Sequence, residues 1–193
     1  MERITKAFEF AHNAHLGQKR KGTNTPYLVH PMEVAIILMK NSAASKIVIA
    51  GLLHDTVEDT DTTIEDIEKE FGKDIAELVE GVTEPSKLEK KQIKIKSENI
   101  WKTNKNHTIE FIKTANKNIK LLSCADKLSN IRTTIEDQKI IGEKVWEKFH
   151  APKEEQKWYY VSMCKSFIEN ESIENTDMYK QFKKAVIKVF GEF

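Results

Sequence analysis

One short segment, HDTVED at residues 54–59, places titratable side chains directly after the apolar run AGLL. Aspartate, glutamate and histidine are rarely buried unless they are paired or bound to a metal. Helical spacing puts Glu58 on the face of His54, and Asp59 on the face of Asp55. Because imidazole and carboxylate groups together coordinate divalent cations, the segment predicts part of a metal site. The alternative is a helix end that turns into solvent, which explains the two later acids but explains His54 and Asp55 poorly.

Two other segments offer further ligands for such a site. His30 lies in PYLVHP, and Asp126 interrupts the apolar segment LLSCADKLSN. Taken singly, His30 has an alternative role as a helix cap. Asp126 has one as the ion-pair partner of Lys127 or Arg132. Together with the His-Asp pair above, they form a His…His-Asp…Asp set, which is a specific pattern.

The elements that must position these side chains are helices. Only 7 glycines and 4 prolines occur among 193 residues, and no stretch alternates apolar and polar residues for the length of a strand. We therefore predict an all-α fold in a single domain. Because no linker or repeat interrupts the chain, residues 1–140 are expected to form the core and residues 141–193 a C-terminal extension of helices packed on it.

Apolar spacing and capping residues predict the helix positions. The first helix ends near Gly17, Pro31 opens the second, and Ser42 caps a third that runs through HDTVED. Thr62 and Glu65 have the spacing of a capping box for IEDIEKEF. The remaining predicted helices are IAELVEGV, a helix through HTIEFIKTA after a Lys-rich loop, IKLLSCADKLSNIRTT with Asn118 as its cap, and two or three amphipathic helices after Gly142.

The composition excludes several classes of protein. Lys and Arg number 31 against 30 Asp and Glu, and this net charge of +1 is not that of a strongly basic nucleic-acid binder. The apolar runs at residues 34–39 and 47–53 are far shorter than the roughly 20 residues of a membrane span. The segment MERITKAFEF lacks the apolar region of a signal peptide. With Cys124 and Cys164 far apart, we expect a cytoplasmic protein with reduced thiols and neither a nucleic-acid nor a membrane partner.

The segments that contain these residues resemble those of a known family. The His…His-Asp…Asp set is similar to the metal signature of HD-domain phosphohydrolases, and this version resembles the RelA/SpoT type, including the small alarmone hydrolases. HDxxED is more discriminating than HD alone, and ADKLSNIRT is close to the family's ADRLxNxRT. The matching stretches are GQKRKG at 17–22, PYLVHPMEVA at 26–35, AGLLHDTVEDTDTT at 50–63, FGKDIAELVEGVTE at 71–84 and LLSCADKLSNIRT at 121–133.

The resemblance implies an HD-domain helical bundle that binds one Mn²⁺ and hydrolyses the 3′-pyrophosphate of guanosine tetra- or pentaphosphate, giving GDP or GTP and pyrophosphate. It also implies a role for each matching residue. The metal ligands would be His30, His54, Asp55 and Asp126, and the catalytic acidic pair would be Glu58 and Asp59. The substrate contacts would be Arg20 and Lys21 beside the guanine base, and Asn130 and Thr133 near the nucleoside.

Several features lie outside this match or leave alternatives open. Lys105 and His107 are candidates for the substrate's other phosphates, while most lysines of residues 87–105 are expected to be a solvated basic face. Ser129 stands where the family often carries a larger residue. The aromatic residues after Gly142 are interpreted as core or oligomer contacts, with a nucleobase platform as the alternative: Trp146, Phe149, Trp158 and Tyr159.

The sequence leaves the exact activity and the metal open. The length leaves no room for a synthetase domain, so we expect a stand-alone hydrolase whose small-molecule substrate is a nucleotide. One alternative is an HD phosphohydrolase for another nucleotide, such as a 5′-nucleotidase or a nucleoside triphosphatase. Another is a nucleotide-binding sensor with little turnover. A two-histidine, two-aspartate set also permits Fe, Co, Ni or Zn, and the oligomeric state is not indicated.

Overall fold

The regular elements are helices throughout the residues that the computed structural model describes, 2–84 and 100–193. Between the first two helices, Lys19 and Pro26 form an isolated antiparallel bridge. The all-α prediction is confirmed. Among the described helices, none is long and apolar enough to cross a membrane. The α-helices are α1 (Glu2–Ala14), α2 (Val29–Lys40), α3 (Ser45–Leu53), α4 (Thr56–Asp59), α5 (Ile64–Phe71), α6 (Lys73–Glu80), α7 (Ile100–Thr114), α8 (Lys117–Ile141), α9 (Lys153–Ser166) and α10 (Asp177–Phe190), with a 3₁₀ helix at Gly142–Lys148.

The centre of the fold is α3, which packs against α1, α2, α6 and α8. Its sequence is apolar on nearly every face, and residues 47–53 are all buried. A helix that is apolar all round is stable only inside a protein, because no face can be left to water. The residues that directly follow α3 therefore begin inside the core, and these are His54 and Asp55.

The predicted single helix through HDTVED is two helices in the structure. It breaks at His54 and Asp55, between α3 and α4. The Thr56 hydroxyl donates to the Leu53 carbonyl oxygen at 2.7 Å. A hydroxyl that bonds back to the preceding turn competes with the helix ladder and bends it. After this break, Asp55 lies beside the first turn of α2, with its Oδ2 3.5 Å from His30 Nε2.

Capping also differs from the sequence predictions. The capping box of α5 is formed by Thr63 and Asp66, because Thr63 Oγ1 accepts the Asp66 N–H and the Asp66 carboxylate accepts the Thr63 N–H. The predicted capping residue Thr62 instead hydrogen-bonds to Thr60. The cap of α8 is Asn116, whose side chain accepts the N–H groups of residues 118 and 119.

The predicted starts of α2 and α3 are also displaced. Pro31 lies inside the first turn of α2, which begins at Val29. Ser42 occupies the connection before α3 with a φ of 55°, and α3 begins at Ser45.

The C-terminal helices join the core through α8 and α7. Helix α10 packs on α8, and α9 packs on α7 and α10. Lys120 in α8 is fully buried. Its ammonium donates to the carbonyl oxygens of Lys113, Ser166 and Glu169. A buried ammonium needs such acceptors, so this contact ties the end of α9 to the α7–α8 connection.

The contact between α2 and α3 requires a glycine at position 51. A Cβ at Gly51 would lie 2.7 Å from Leu38 Cδ1 and 3.3 Å from Val34 Cγ1. We predict that Gly51→Ala lowers the free energy of unfolding by about 1–3 kcal/mol, because overpacking a dense core forces side chains from their rotamers. Urea unfolding measures this change in the free energy of unfolding. Ser45→Ala, at an exposed position of the same helix, serves as the control, and equal stability of the two variants would contradict the packing argument.

Candidate metal centre and active site

The four predicted ligands lie close together where α2, α3 and α8 meet. His30 lies in the first turn of α2, His54 and Asp55 at the break after α3, and Asp126 in α8. One ligand atom from each of His30, His54 and Asp126 lies within 4.8 Å of the other two. Asp55 lies beside this group, with Oδ1 3.1 Å from His54 Nε2 and Oδ2 3.5 Å from His30 Nε2.

Both imidazole rings are oriented through their Nδ1 atoms. His54 Nδ1 is 3.0 Å from the Gly51 carbonyl oxygen, which can only accept a hydrogen bond. His30 Nδ1 is 2.9 Å from Ser129 Oγ. In the neutral form each ring carries its proton on Nδ1, so that Nε2, which lies toward the carboxylates of Asp55 and Asp126, is the atom that binds a metal or a second proton. Histidine ligands of metals are held in the same way by a bond from the other ring nitrogen.

The donor set fits a divalent cation. His54 Nε2 is buried and has no hydrogen-bond partner among the described residues, which is costly for a polar atom unless something binds it. Burial alone would lower the pKa of His54, but the carboxylates of Asp55 and Asp126 outweigh it and raise the pKa to about 9. The same negative field favours a metal ion between the two rings. Imidazole nitrogens with a carboxylate oxygen are typical ligands of divalent transition metals.

Asp126 is held by its neighbours on α8. Asn130 Nδ2 donates to Oδ1 at 2.6 Å, and Lys127 Nζ donates to Oδ2 at 2.5 Å. Burial opposes the charge, but Lys127 and the two histidines hold the pKa of Asp126 well below its usual range. The pairing with Lys127, which the sequence offers as an alternative role for Asp126, therefore exists alongside the histidine contacts. Arg132 instead donates to Gln181.

The two residues of the acidic pair, Glu58 and Asp59, differ in their exposure to solvent. Glu58 is half-buried and its Oε1 accepts the Glu84 N–H at 2.7 Å. Burial and the nearby charge of Asp55 raise the pKa of Glu58 to about 7. Asp59 is exposed. A carboxylate that titrates near neutrality is suited to proton transfer, and Glu58 is therefore the stronger candidate for a general base.

Tyr27 is a site residue that the sequence reasoning missed. Its hydroxyl lies 2.8 Å from Asp55 Oδ2 and 2.7 Å from Asp59 Oδ2, so one phenol group links the two acids. The ring stacks on His15, with centroids 4.7 Å apart. The only sequence signal is its place in the matching stretch, three residues before His30.

These groups line a pocket of about 160 Å³. Arg20, Asn130 and Lys105 are among its walls, as the sequence analysis expects of substrate-binding residues. Arg20 donates to Asn130 Oδ1 at 3.1 Å, which connects the loop before α2 to the Asp126 side of the pocket. Lys21 and Thr133 are not among the residues that line it.

A second cavity of about 350 Å³ adjoins the first. The two share four walls, Val82, Thr108, Asp126 and Lys127, and His107 lines the second cavity rather than the first. The candidate metal centre therefore lies between a wall that includes Arg20 and a second cavity lined by residues of α7.

Lys105, at the end of the Lys-rich segment 87–105, lines the first pocket. Its Nζ is 2.6 Å from Glu84 Oε1 and 5.1 Å from the ring centre of Tyr159. Residues 87–99 of the Lys-rich segment lie outside the described residues. Of the aromatic residues after Gly142, Tyr159 is a buried wall of the first pocket, and within residues 2–84 and 100–193 its hydroxyl oxygen has no hydrogen-bond partner. Trp158 packs on Trp101, and Trp146 on Phe149 and Phe190.

Comparisons with known proteins identify the family that carries these motifs. A family model described as an HD domain matches residues 7–150. Guanosine-3′,5′-bis(diphosphate) 3′-pyrophosphohydrolase of Aquifex aeolicus is 44% identical over 133 residues, which are 68% of this chain but only 18% of that protein. The pyrophosphohydrolase MESH1 of Mus musculus is 39% identical over 132 residues, which are 67% of this chain and 68% of MESH1.

A solved structure extends the likeness to the whole chain. A metazoan ortholog of SpoT, described as hydrolysing ppGpp, aligns with a TM-score of 0.75 and 27% identity over 100% of this chain and 98% of that one. The resemblance to HD-domain hydrolases of the RelA/SpoT type is thus confirmed. An HD domain implies a divalent metal, and His30, His54 and Asp126 form a possible site for it. The chain belongs to the HD-domain family.

Proposed function

We propose that this protein hydrolyses the 3′-pyrophosphate of guanosine tetra- or pentaphosphate, releasing pyrophosphate and GDP or GTP. The observation that carries the proposal is the placement of Glu58, with a pKa of about 7, in one pocket with the buried His30, His54 and Asp126 cluster. The names of the relatives support the substrate. Because the chain spans less than a fifth of the A. aeolicus relative, the activity is a proposal for this chain.

We propose Mn²⁺ as the resident metal, with Asp55 as the fourth protein ligand. In support, the Asp55 oxygens lie 3.1 and 3.5 Å from the Nε2 atoms of His54 and His30. A bound divalent cation polarises phosphoryl oxygens and makes water acidic enough to serve as a nucleophile near neutral pH. Tyr27 holds Asp55 in place, and Asn130 and Lys127 hold Asp126.

Glu58 is proposed to take the proton of the attacking water. The water oxygen adds to the phosphorus next to the ribose, and the bond from that phosphorus to the 3′ oxygen breaks. The 3′ oxygen needs a proton as it leaves, and the transfer to Glu58 makes one available. Asp59, bonded to Tyr27, is proposed to orient the water from the open side of the pocket.

The basic side chains are proposed to bind the rest of the substrate. Lys127 and Lys105 face the pocket, where ammonium groups stabilise charge that develops on phosphoryl oxygens. The planar guanidinium of Arg20 is suited to stacking on a base or gripping a phosphate. Contacts of Lys21 and Thr133 with the nucleoside, and of His107 with a phosphate in the second cavity, remain predictions.

We also propose a domain organisation and a location for the protein. Residues 1–140 would be the hydrolase core and 141–193 a helical extension of the same domain. The packing of α10 on α8 and the Tyr159 wall of the pocket support this unity. A cytoplasmic location remains a prediction from the sequence. The buried free thiols of Cys124 and Cys164 are consistent with the reducing environment it assumes.

The first prediction of this proposal concerns the substrate. With Mn²⁺ present, the purified protein should release pyrophosphate and GDP from guanosine tetraphosphate, because the pocket combines a metal centre with cations for a polyphosphate. Product chromatography on a panel that also contains nucleoside monophosphates and triphosphates measures the selectivity. Turnover of another nucleotide without turnover of guanosine tetraphosphate would favour a 5′-nucleotidase or a nucleoside triphosphatase instead.

A second prediction concerns Glu58 as the base. The base must be deprotonated, so kcat/KM should fall as the pH drops below about 7, the pKa of Glu58. Glu58→Gln should lower kcat by at least about 100-fold, because a lost general base costs that much or more. Pyrophosphate release across the pH range measures both effects. The variant retains an oxygen that can accept the Glu84 N–H, so it should still fold and bind Mn²⁺; nearly unchanged kcat in Glu58→Gln would exclude Glu58 as the base.

A third prediction concerns the metal centre. Asp126→Ala should weaken Mn²⁺ binding by more than about 10-fold, because it removes a ligand oxygen between the two histidines. Metal analysis after gel filtration provides the measurement. Asp137→Ala is the matched control. Asp137 lies on the same helix as Asp126, and its carboxylate pairs with Lys148. Undiminished Mn²⁺ in Asp126→Ala would show that Asp126 is not a ligand.

A further inference from the structure

Ser129 is a buried polar residue that the proposed reaction does not use. It is fully buried in α8, at a position where the sequence resemblance leads one to expect a larger side chain. Its hydroxyl oxygen is 2.9 Å from His30 Nδ1 and donates to Glu33 Oε2 at 2.8 Å. The three side chains form a chain of hydrogen bonds from α8 to α2.

The direction of these bonds follows from proton counting. A serine hydroxyl has a single proton, and a carboxylate only accepts. Since the Ser129 proton goes to Glu33, the hydroxyl oxygen must accept from His30 Nδ1–H. The neutral imidazole then has its lone pair on Nε2, which faces Asp126 Oδ1 at 3.2 Å.

The spacing along the two helices explains why the residues meet. Glu33 follows His30 by three residues on α2, and Ser129 follows Asp126 by three residues on α8. Residues three apart share one face of a helix, so each ligand has a supporting residue one turn further on. Because α2 packs against α8, the Ser129 hydroxyl bridges the helices that carry His30 and Asp126.

From this arrangement we propose that Ser129 and Glu33 are positioning residues for the metal centre. They fix the ring orientation and tautomer of His30, and they hold α2 and α8 at the separation that lets His30 and Asp126 bind one cation. This inference rests on the metal role of His30 in the proposed function. Groups that orient a ligand in this way typically account for 10- to 100-fold in metal affinity.

The experiment measures Mn²⁺ affinity without substrate, from the electron paramagnetic resonance signal of free Mn²⁺. Ser129→Ala and Glu33→Met should each weaken binding by about 10-fold or more, while Glu33→Gln, which retains an acceptor oxygen, should weaken it less. In the double variant that combines Ser129→Ala with Glu33→Met, the loss should be no greater than for Ser129→Ala by itself, because Glu33 acts through the hydroxyl.

The matched control is Ser166→Ala. Ser166 is also fully buried, and its hydroxyl donates across a helix contact to the Ile109 carbonyl oxygen at 3.1 Å. It should change the midpoint of thermal unfolding in chelator as much as Ser129→Ala does, yet leave Mn²⁺ affinity unchanged. Wild-type affinity in Ser129→Ala, or losses that add in the double variant, would overturn the proposal.

The outcome is separable from that of the proposed function. If the wild-type protein binds Mn²⁺ but releases no pyrophosphate from guanosine tetraphosphate, the substrate assignment fails while the affinity comparison still decides the role of Ser129. If the wild-type protein is active and Ser129→Ala binds Mn²⁺ normally, only the positioning role fails. Should Ser129→Ala not fold, Glu33→Met against Glu33→Gln tests the same chain of bonds.

Discussion

The burial of imidazole and carboxylate groups at one junction of α2, α3 and α8 constrains the structure around it. Removing an ion from water costs several kcal/mol unless a partner and hydrogen bonds compensate. The surrounding groups provide that compensation. Asp126 has Lys127 and Asn130, and the Asp55 carboxylate accepts the Tyr27 hydroxyl. The polar contacts near the centre of the fold therefore exist because α3 delivers His54 and Asp55 into an apolar core.

In the cluster, hydrogen bonds compensate the burial of the outward-facing ring atoms but not that of the inward-facing ones. This difference distinguishes the cluster from an ordinary buried polar network. Outward-facing atoms are satisfied: His54 Nδ1 by the Gly51 carbonyl, and His30 Nδ1 by Ser129. The Nε2 atoms point at carboxylate oxygens, and that of His54 has no hydrogen bond in the part of the chain that the structure describes. A network selected only for stability would pair these inner atoms with donors. Here the acceptors converge instead, which is the arrangement a cation requires.

The fold class was predicted correctly, and the candidate ligands chosen from the sequence lie together in the structure, because both depend on strong local signals. Few glycines, long helical periodicity and an apolar α3 leave little besides a helical bundle, and charged residues after AGLL are hard to explain without a partner. Helix ends were less predictable. Thr62 and Thr63 have the same capping chemistry, and the local hydrogen bonds decide between them: Thr62 bonds to Thr60, and Thr63 bonds to Asp66. The residues that reasoning from sequence missed depend instead on partners far along the chain. Tyr27 contacts acids 28 and 32 residues away, and Ser129 contacts His30 across 99 residues, pairs that no local pattern encodes.

The net charge of +1 illustrates the same limit. A total near zero conceals that groups of both signs line one pocket, with Asp55, Glu58 and Asp59 beside the buried cluster and Arg20, Lys105 and Lys127 among the same walls. Basic side chains in such a pocket can bind a polyphosphate, while burial and the charge of Asp55 raise the pKa of Glu58 and suit it to proton transfer. The local arrangement of charge, rather than its sum, suits the site to a highly phosphorylated ligand.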